Sequence, residues 1–311
     1  MRIGLGLSSN SGATGELARV IADAQELERQ GFDTAWSSTW WLPPTGPVVA
    51  GLDPLAALTA VGAATTRIEL GTSVVPTYHR PPAVMAQSAL TVRSAAPGRF
   101  VLGLGVAHRR LVEDVMGLTY APPAPHMRRY LEALLPIFAG EPVDHDAGPL
   151  SVRGYQIPGA EPMPVLVAAM GPLMLRVAGE LADGTITALT GPRTLESHIV
   201  PSITRAAEAA GRPSPRIVAA VTFAVTDDVA RARGLAAQAM ASYKDLPAYR
   251  AMLDREEAEP GDLVVAGDAA EVQRTIRRLE DIGVTDVLAA VLPVDEQTAP
   301  RTVQALAGCL S

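Results

Sequence analysis

The sequence predicts an α/β fold of the (β/α)8 TIM-barrel type. Eight short apolar segments, each about four to nine residues long, alternate along the chain with segments of amphipathic helical periodicity. Strands that are almost entirely apolar and alternate with helices are typical of a parallel sheet that helices cover. The chain of 311 residues has the length of one such barrel, and it can bury about three quarters of its unfolded surface. We therefore expect a single domain spanning residues 1–311.

The predicted elements follow one another without internal repeats. The strands share apolar runs that end in small residues, and they are predicted at 3–7, 34–37, 68–74, 100–105, 165–169, 184–189, 217–225 and 286–291. The helices share an apolar face, and they are predicted at 16–30, 54–64, 83–95, 128–138, 173–181, 195–210, 229–242, 270–282 and 299–307. A doubly wound nucleotide-binding fold is the weaker alternative. Gly4 and Gly6 lie inside the first strand, and no G-x-G-x-x-G turn follows it.

Three connections between these elements are longer than the rest, at 38–53, 107–127 and 138–164. Each is rich in proline, glycine or aromatic residues, and long ordered loops at strand ends tend to be functional. TIM barrels place their active sites at the carboxyl ends of the strands. We therefore expect loop insertions at the carboxyl-terminal face of the barrel.

The stretch 68–108 carries the clearest functional signal. Two apolar strands are joined there by a helix of about a dozen residues, and each strand ends in small residues. Because α/β proteins bind ligands at the carboxyl ends of their strands, the signal lies at 71–80 and 103–109.

Composition and charge argue against several classes of function. A net charge of -7 disfavours the broad basic surface that nucleic-acid binding needs, and Lys244 is the only lysine among 26 basic residues. The single cysteine, Cys309, cannot form a disulfide within the chain, which favours the cytoplasm. The first residues are too short and glycine-rich for a signal peptide, and no apolar run approaches the roughly 18 residues of a membrane span. We expect a soluble protein with no membrane partner.

Six segments carry further motifs, and they are MRIGLGL at 1–7, ELERQGFDTAW at 26–36, GTSVVPTYHRPP at 71–82, GRFVLGLGV at 98–106, VAAMGPLMLRVAGELADG at 167–184 and LEDIGVTDVL at 279–288. In this order and spacing they resemble the luciferase-like monooxygenase superfamily, and within it the oxidoreductases that depend on the deazaflavin coenzyme F420. The resemblance implies a barrel with a flavin or deazaflavin lying across the carboxyl ends of its strands. Coenzyme F420 is therefore the expected cofactor, with FMN as the alternative.

The first candidate cofactor contacts are the ends of the third and fourth predicted strands. Small residues there allow the backbone to approach a flat ring closely, although an ordinary strand exit without a ligand is the alternative. The resemblance implies a non-proline cis peptide bond between Ser73 and Val74 that supports the cofactor. The candidate residues are Gly71, Thr72, Ser73, Val74, Gly105 and Val106.

The second candidate contact is the turn after the fifth predicted strand. Free backbone N–H groups and the helix dipole favour an anion at such a turn, and Gly171 lacks the Cβ that would block a phosphate. The resemblance places the cofactor phosphate here, with help from the end of the next strand. The alternative is a helix that begins with proline and binds no ligand. The candidates are Ala168, Ala169, Met170, Gly171, Pro172, Thr187 and Ala188, with Arg176 and Arg193 as cations for an acidic cofactor tail.

Histidines in the loops near the pocket are the candidate proton-transfer groups, because imidazole titrates near neutral pH. His108 is the first candidate and His79 the second, while His126 lies in a third loop. In the sugar-phosphate branch of the family, an acid–histidine pair follows the second strand and a glutamate follows the fourth. Here Thr39 and Trp40 occupy the pair, and His108 stands at or beside the glutamate's place. Trp40 is a further active-site candidate as part of an aromatic wall, and a sugar phosphate is not expected as the substrate.

The main functional expectation is an enzyme that transfers a hydride between reduced F420 and a small organic substrate with a C=C, C=N or C=O bond. A reduced-FMN monooxygenase and a non-catalytic flavin-binding barrel are the alternatives. No metal site is expected, since the neighbouring side chains of Asp144, His145 and Asp146 point to opposite faces of an extended chain. The expected partners are a small-molecule substrate and a second copy of the chain in a homodimer.

Overall fold

The computed structural model describes residues 1–7, 16–41 and 48–310, with only the backbone at Trp40 and Trp41. Eight parallel strands close into a barrel, each paired with the next in chain order and the eighth paired with the first. The predicted TIM barrel is confirmed. The barrel strands are β1 (Arg2–Gly6), β2 (Thr34–Ser37), β3 (Glu69–Thr72), β4 (Phe100–Gly105), β5 (Val165–Ala168), β6 (Gly184–Thr187), β7 (Arg216–Val225) and β8 (Asp286–Val291).

Helices pack on the outside of the barrel between these strands. Those of ten residues or more are α1 (Leu17–Gln30), α2 (Pro54–Ala64), α3 (Pro82–Ala95), α4 (Pro123–Phe138), α5 (Pro172–Leu181), α6 (Val200–Ala209), α7 (Val229–Ala239), α8 (Pro247–Glu256), α9 (Ala269–Ile282) and α10 (Thr298–Ala307). The sequence did not predict α8, because its only buried residues are Met252 and Leu253 and its apolar periodicity is weak.

Glycines in β1 and β3 make room for Trp36 in the barrel interior. Trp36 lies on β2 and is 1% exposed. A Cβ at Gly71 would come within 2.3 Å of its ring, and a Cβ at Gly4 would come within 2.6 Å of its Nε1. The indole packs with the inward-facing residues of the other strands. Trp36 is therefore part of the core, as its position on a strand predicts.

Ion pairs fill the amino-terminal end of the barrel. Arg216, at the start of β7, donates hydrogen bonds to Glu69 at 2.7 Å and to Asp286 at 2.5 Å. Burial alone would lower the pKa of Arg216, but its hydrogen bonds to the two carboxylates raise that pKa above its ordinary value. Because β3 and β7 lie on opposite sides of the barrel, the pair with Glu69 crosses the interior. Because these side chains fill the amino-terminal end of the barrel, a ligand would bind at its carboxyl-terminal end.

The long connections lie at both ends of the barrel. The connections after β2 and β4 leave from carboxyl ends of strands, as expected. The connection 139–164 instead leads from α4 into the start of β5, and it contains a hairpin of Val143–His145 with Val152–Tyr155. A further long excursion, not singled out in the sequence, follows β7 at 226–268 and contains α7 and α8.

No helix within the described residues is both long enough and apolar enough to span a bilayer.

Candidate active site

A cavity of about 430 Å³ lies at the carboxyl ends of the strands. This volume is within the range of small-molecule sites, about 300 to 1,000 Å³. The residues that line it come from the segments after β2, β3, β4, β6 and β7, and they are Ser38, Thr39, Ser73, Val74, Pro76, Ala107, His108, Leu111, Ala188, Leu189, Met240, Tyr243 and Tyr249. We call it the main cavity.

The segment after β3 forms one wall of the main cavity. The peptide bond between Ser73 and Val74 is cis, which confirms the bond that the family resemblance implies. Thr39 Oγ1 donates a hydrogen bond to the carbonyl oxygen of Val74 at 2.9 Å. A Cβ at Gly105 would come within 2.5 Å of Val74 Cγ2, so Gly105 leaves room for the valine side chain. Ser73 and Val74 thus face the space where a cofactor ring was expected.

Three other predicted contacts are not among the residues that line the main cavity. Gly71 lies against Trp36 in the barrel interior. Thr72 Oγ1 donates to the carbonyl oxygen of Gly103 at 2.9 Å and accepts from its N–H at 2.8 Å, which ties β3 to β4. Val106 packs on the hydrophobic core.

His108 lies on the cavity wall directly after β4. It follows Ala107, whose φ of 52° turns the chain away from the strand. Its ring lies 5.8 Å from the ring of Tyr243 and 5.6 Å from that of Tyr249, measured between centroids. Burial lowers the pKa of His108 to about 4. At neutral pH the imidazole is therefore uncharged, so it can accept a proton or donate its single N–H.

Tyr243 and Tyr249 are cavity residues that the sequence analysis missed. They belong to the excursion after β7, and their rings meet edge to face at 5.7 Å. Burial raises the pKa of Tyr249 above its ordinary value, so its phenol stays protonated and can donate a hydrogen bond. No motif marks this segment in the sequence. The only available signal is the presence of two tyrosines in a chain with six.

The remaining sequence candidates for catalysis lie elsewhere or are only partly described. His79 is not among the lining residues of the main cavity, and its pKa is lowered by burial and by the adjacent Arg80. The backbone of Trp40 pairs with Ala50 in a short hairpin after β2. His126 is buried in α4, with its Nε2 at 2.9 Å from Thr77 Oγ1.

The buried imidazole of His126 makes the stability of the fold pH-dependent. Burial lowers the pKa of His126 to about 4 from an ordinary 6.5, so the unfolded chain binds this proton more readily. One such histidine lowers the free energy of unfolding by about 2 kcal/mol between about pH 7.5 and pH 5. Over this pH range, the free energy of unfolding of the His126→Gln variant, measured in urea, should fall by about 2 kcal/mol less than that of the wild type. Equal losses in both proteins would contradict the burial of a neutral imidazole.

The turn before α5 presents backbone N–H groups that no described side chain caps. Gly171 precedes the helix and Pro172 begins it, and no side chain caps its first turn. The N–H groups of the first helical turn have no acceptor within their own helix. A Cβ at Gly171 would meet nothing within 4 Å. His198 Nε2 lies 2.8 Å from the carbonyl oxygen of Met170, and Thr185 Oγ1 donates to that of Ala169 at 2.9 Å, so the turn is held in place.

The next turn, after β6, already holds a carboxylate. Glu256 accepts hydrogen bonds from the N–H groups of Arg193 at 3.2 Å and Thr194 at 2.7 Å. Arg193 itself forms an ion pair with Glu257 at 2.6 Å. Thr187 is buried with its Oγ1 at 2.8 Å from that of Thr190. Of these two turns, only the one at Gly171 has backbone N–H groups that no described side chain engages, so it is the better candidate for binding an anion.

The other members of the predicted anion site differ in exposure. Ala188 lines the main cavity. Ala168 is half-buried at the end of β5, and Arg176 is exposed on α5.

Within the described part of the chain, no group of three or more His, Cys, Asp or Glu side chains has a geometry that could hold a metal ion.

The chain is similar to known proteins along most of its length. A family model described as luciferase-like monooxygenase matches residues 1–286. The chain is 27% identical over 297 residues to a 5,10-methylenetetrahydromethanopterin reductase of Methanolobus tindarius, covering 86% of this chain and 88% of the relative. It is 32% identical over 248 residues to an F420-dependent glucose-6-phosphate dehydrogenase of Kineococcus radiotolerans, covering 76% of this chain and 71% of the relative.

A solved structure of similar fold is an F420-dependent secondary alcohol dehydrogenase in complex with an F420-acetone adduct. It superposes with a TM-score of 0.80 at 20% sequence identity, and the match covers 100% of this chain and 99% of that chain. At this identity the likeness concerns the barrel fold.

Proposed function

The chain belongs to the luciferase-like monooxygenase family, and from this membership we propose that it is an F420-dependent oxidoreductase. It would transfer a hydride between reduced F420 and a small organic substrate with a C=C, C=N or C=O bond. The curated relatives described above are a reductase and an F420-dependent dehydrogenase, which supports an enzyme over a non-catalytic binding protein. The closure of all eight strands into one sheet supports a single domain.

The residues present suit a flat ring with a phosphate-bearing tail. The structural observation that supports the proposal is that the main cavity and the uncapped turn of α5 lie at the same end of the barrel. His108 follows β4 and Ala188 follows β6, and both line the cavity. Because β5 lies between these two strands, the turn at Gly171 lies on the rim between them. Gly171 leaves open space in front of the helix, where N–H groups favour an anion.

The side chains of the main cavity would bind the substrate and transfer a proton to or from it. When bound, F420 would supply the hydride chemistry, giving a hydride to a carbonyl in its reduced form or taking one from an alcohol in its oxidised form. His108 is uncharged at neutral pH, so in the oxidation of an alcohol its free ring nitrogen can accept the hydroxyl proton. In carbonyl reduction the same nitrogen would return the proton to the developing alkoxide, which requires the imidazolium form, and this form becomes scarce above about pH 4. The Tyr249 hydroxyl can donate a hydrogen bond to the same oxygen.

A reduced-FMN monooxygenase is the second candidate, since the family description itself names oxygenases. Oxygen consumption separates the two functions. We expect hydride transfer from reduced F420 to a panel of ketones, enones and imines under anaerobic conditions, measured by the return of oxidised F420 absorbance. Turnover that occurs only with reduced FMN and oxygen would replace the proposal with the monooxygenase function.

A further inference from the structure

The described residues of the main cavity offer an occupant hydroxyl, imidazole and apolar groups, but no formal charge. Among the described residues that line it there is no Asp, Glu, Lys or Arg. The internal stretches outside the described ranges, 8–15 and 42–47, contain none of these residues in their sequence. A charged substrate group would lose its hydration here without gaining a counter-charge, which is costly.

A second cavity of about 70 Å³ adjoins the first, and we call it the side cavity. It lies between the end of β7 and α7, and its described lining is apolar apart from Thr190 and Thr222. Leu189 and Met240 line both cavities, so these two residues lie at the boundary between them.

The boundary between the two cavities combines a fixed and an adaptable residue. Leu189 has a φ of 53°, in the left-handed region that leucine rarely adopts, so its backbone is held there by its surroundings. Met240 directly follows α7, and methionine side chains adapt to the shape of a ligand. The methionine is therefore the side chain able to open the passage.

We propose that the substrate is an uncharged molecule whose reacting group lies beside His108 and whose hydrocarbon portion passes Met240 into the side cavity. The inference rests on the proposed oxidoreductase function and names the substrate class of its site. A cavity of about 70 Å³ has room for two or three groups the size of a water molecule, at about 30 Å³ each. Each methylene group buried there should raise affinity roughly fourfold.

Three variants test the route of the hydrocarbon chain. Ala239 lines only the side cavity, so Ala239→Leu fills it. Ala230→Leu is the matched control, because Ala230 is exposed on the same helix. Met240→Ala shortens a side chain at this boundary and widens the passage.

The experiment is a calorimetric titration with methyl ketones from 2-butanone to 2-octanone. The full chain is first saturated with whichever oxidised cofactor it binds, F420 or FMN, so a failed F420 assignment leaves the result interpretable. We expect affinity to rise roughly fourfold per methylene over two or three steps in the wild type and in Ala230→Leu. In Ala239→Leu this rise should be absent. In Met240→Ala the ratio of affinities for 2-octanone and 2-butanone should increase threefold or more.

A charged analogue completes the test. We expect 6-oxoheptanoate to bind at least tenfold more weakly than 2-heptanone, which has the same seven-carbon chain. The proposal is overturned if no ketone binds at millimolar concentration, or if affinity does not depend on chain length. It is also overturned if the carboxylate binds as tightly as the ketone. If Ala239→Leu lowers the thermal midpoint, Met240→Ala decides, and an unchanged affinity ratio in that variant refutes the route.

Discussion

Replacing His108 with alanine is expected to lower turnover by tenfold or more while cofactor affinity changes little. A positioned acid or base contributes about 100- to 10,000-fold to a proton-transfer step. His108 lies on the wall of the main cavity, and its uncharged ring can exchange a proton with the substrate. His108→Gln should cause a similar loss, since the amide keeps hydrogen bonding but does not titrate. Turnover is measured with any substrate that the enzyme accepts, and cofactor affinity by fluorescence quenching.

Two further variants and a pH profile make this test specific. His145→Gln is the control, because His145 lies on the hairpin that leads into the amino end of β5. His79→Ala tests the second sequence candidate in the same assay. For alcohol oxidation, kcat/KM should rise with pH through about 4 and then stay level, because burial lowers the pKa of His108 to about 4. Full activity in both His108 variants would show that water or the substrate supplies the proton.

Replacing Gly171 with leucine is expected to weaken cofactor binding at least tenfold, about 1.4 kcal/mol. The new side chain would occupy the open space in front of the first N–H groups of α5, where we propose that the cofactor phosphate binds. The barrel should remain folded, because a Cβ at Gly171 meets nothing within 4 Å and its φ is -77°. Titration followed by fluorescence quenching measures the affinity.

The matched control for this variant is Gly234→Leu. Gly234 lies on the exposed face of α7, and a Cβ there also meets nothing within 4 Å. We expect wild-type affinity in this control and a thermal midpoint no lower than that of the wild type in both variants. Wild-type affinity in Gly171→Leu would remove the phosphate role from this turn.

The strand pattern predicted the barrel because its signal is local and repeated. Each strand is a short apolar run between turn residues, and closure follows from eight such units. The same local signal placed His108 and Ser73 at strand ends, and both line the main cavity. The strand pattern did not predict that Gly71 packs against Trp36 or that Thr72 bonds to Gly103. Gly71 makes room for Trp36 on a neighbouring strand, a contact that depends on the register between strands.

The cavity residues after β7, which no sequence motif marks, come from far along the chain. Tyr249 and Met240 reach the main cavity from the excursion after β7, whereas His108 follows β4. Their presence depends on how that excursion folds back over the barrel, and no periodicity or motif encodes this path. The ion pair of Arg193 could not be predicted for the same reason, because its partner Glu257 is distant in sequence.

Side-by-side calorimetry with oxidised F420 and oxidised FMN tests whether the chain uses F420 and not FMN. We predict that F420 binds at least tenfold more tightly than FMN, which corresponds to about 1.4 kcal/mol. Equal affinities, or tighter binding of FMN, would contradict the assignment.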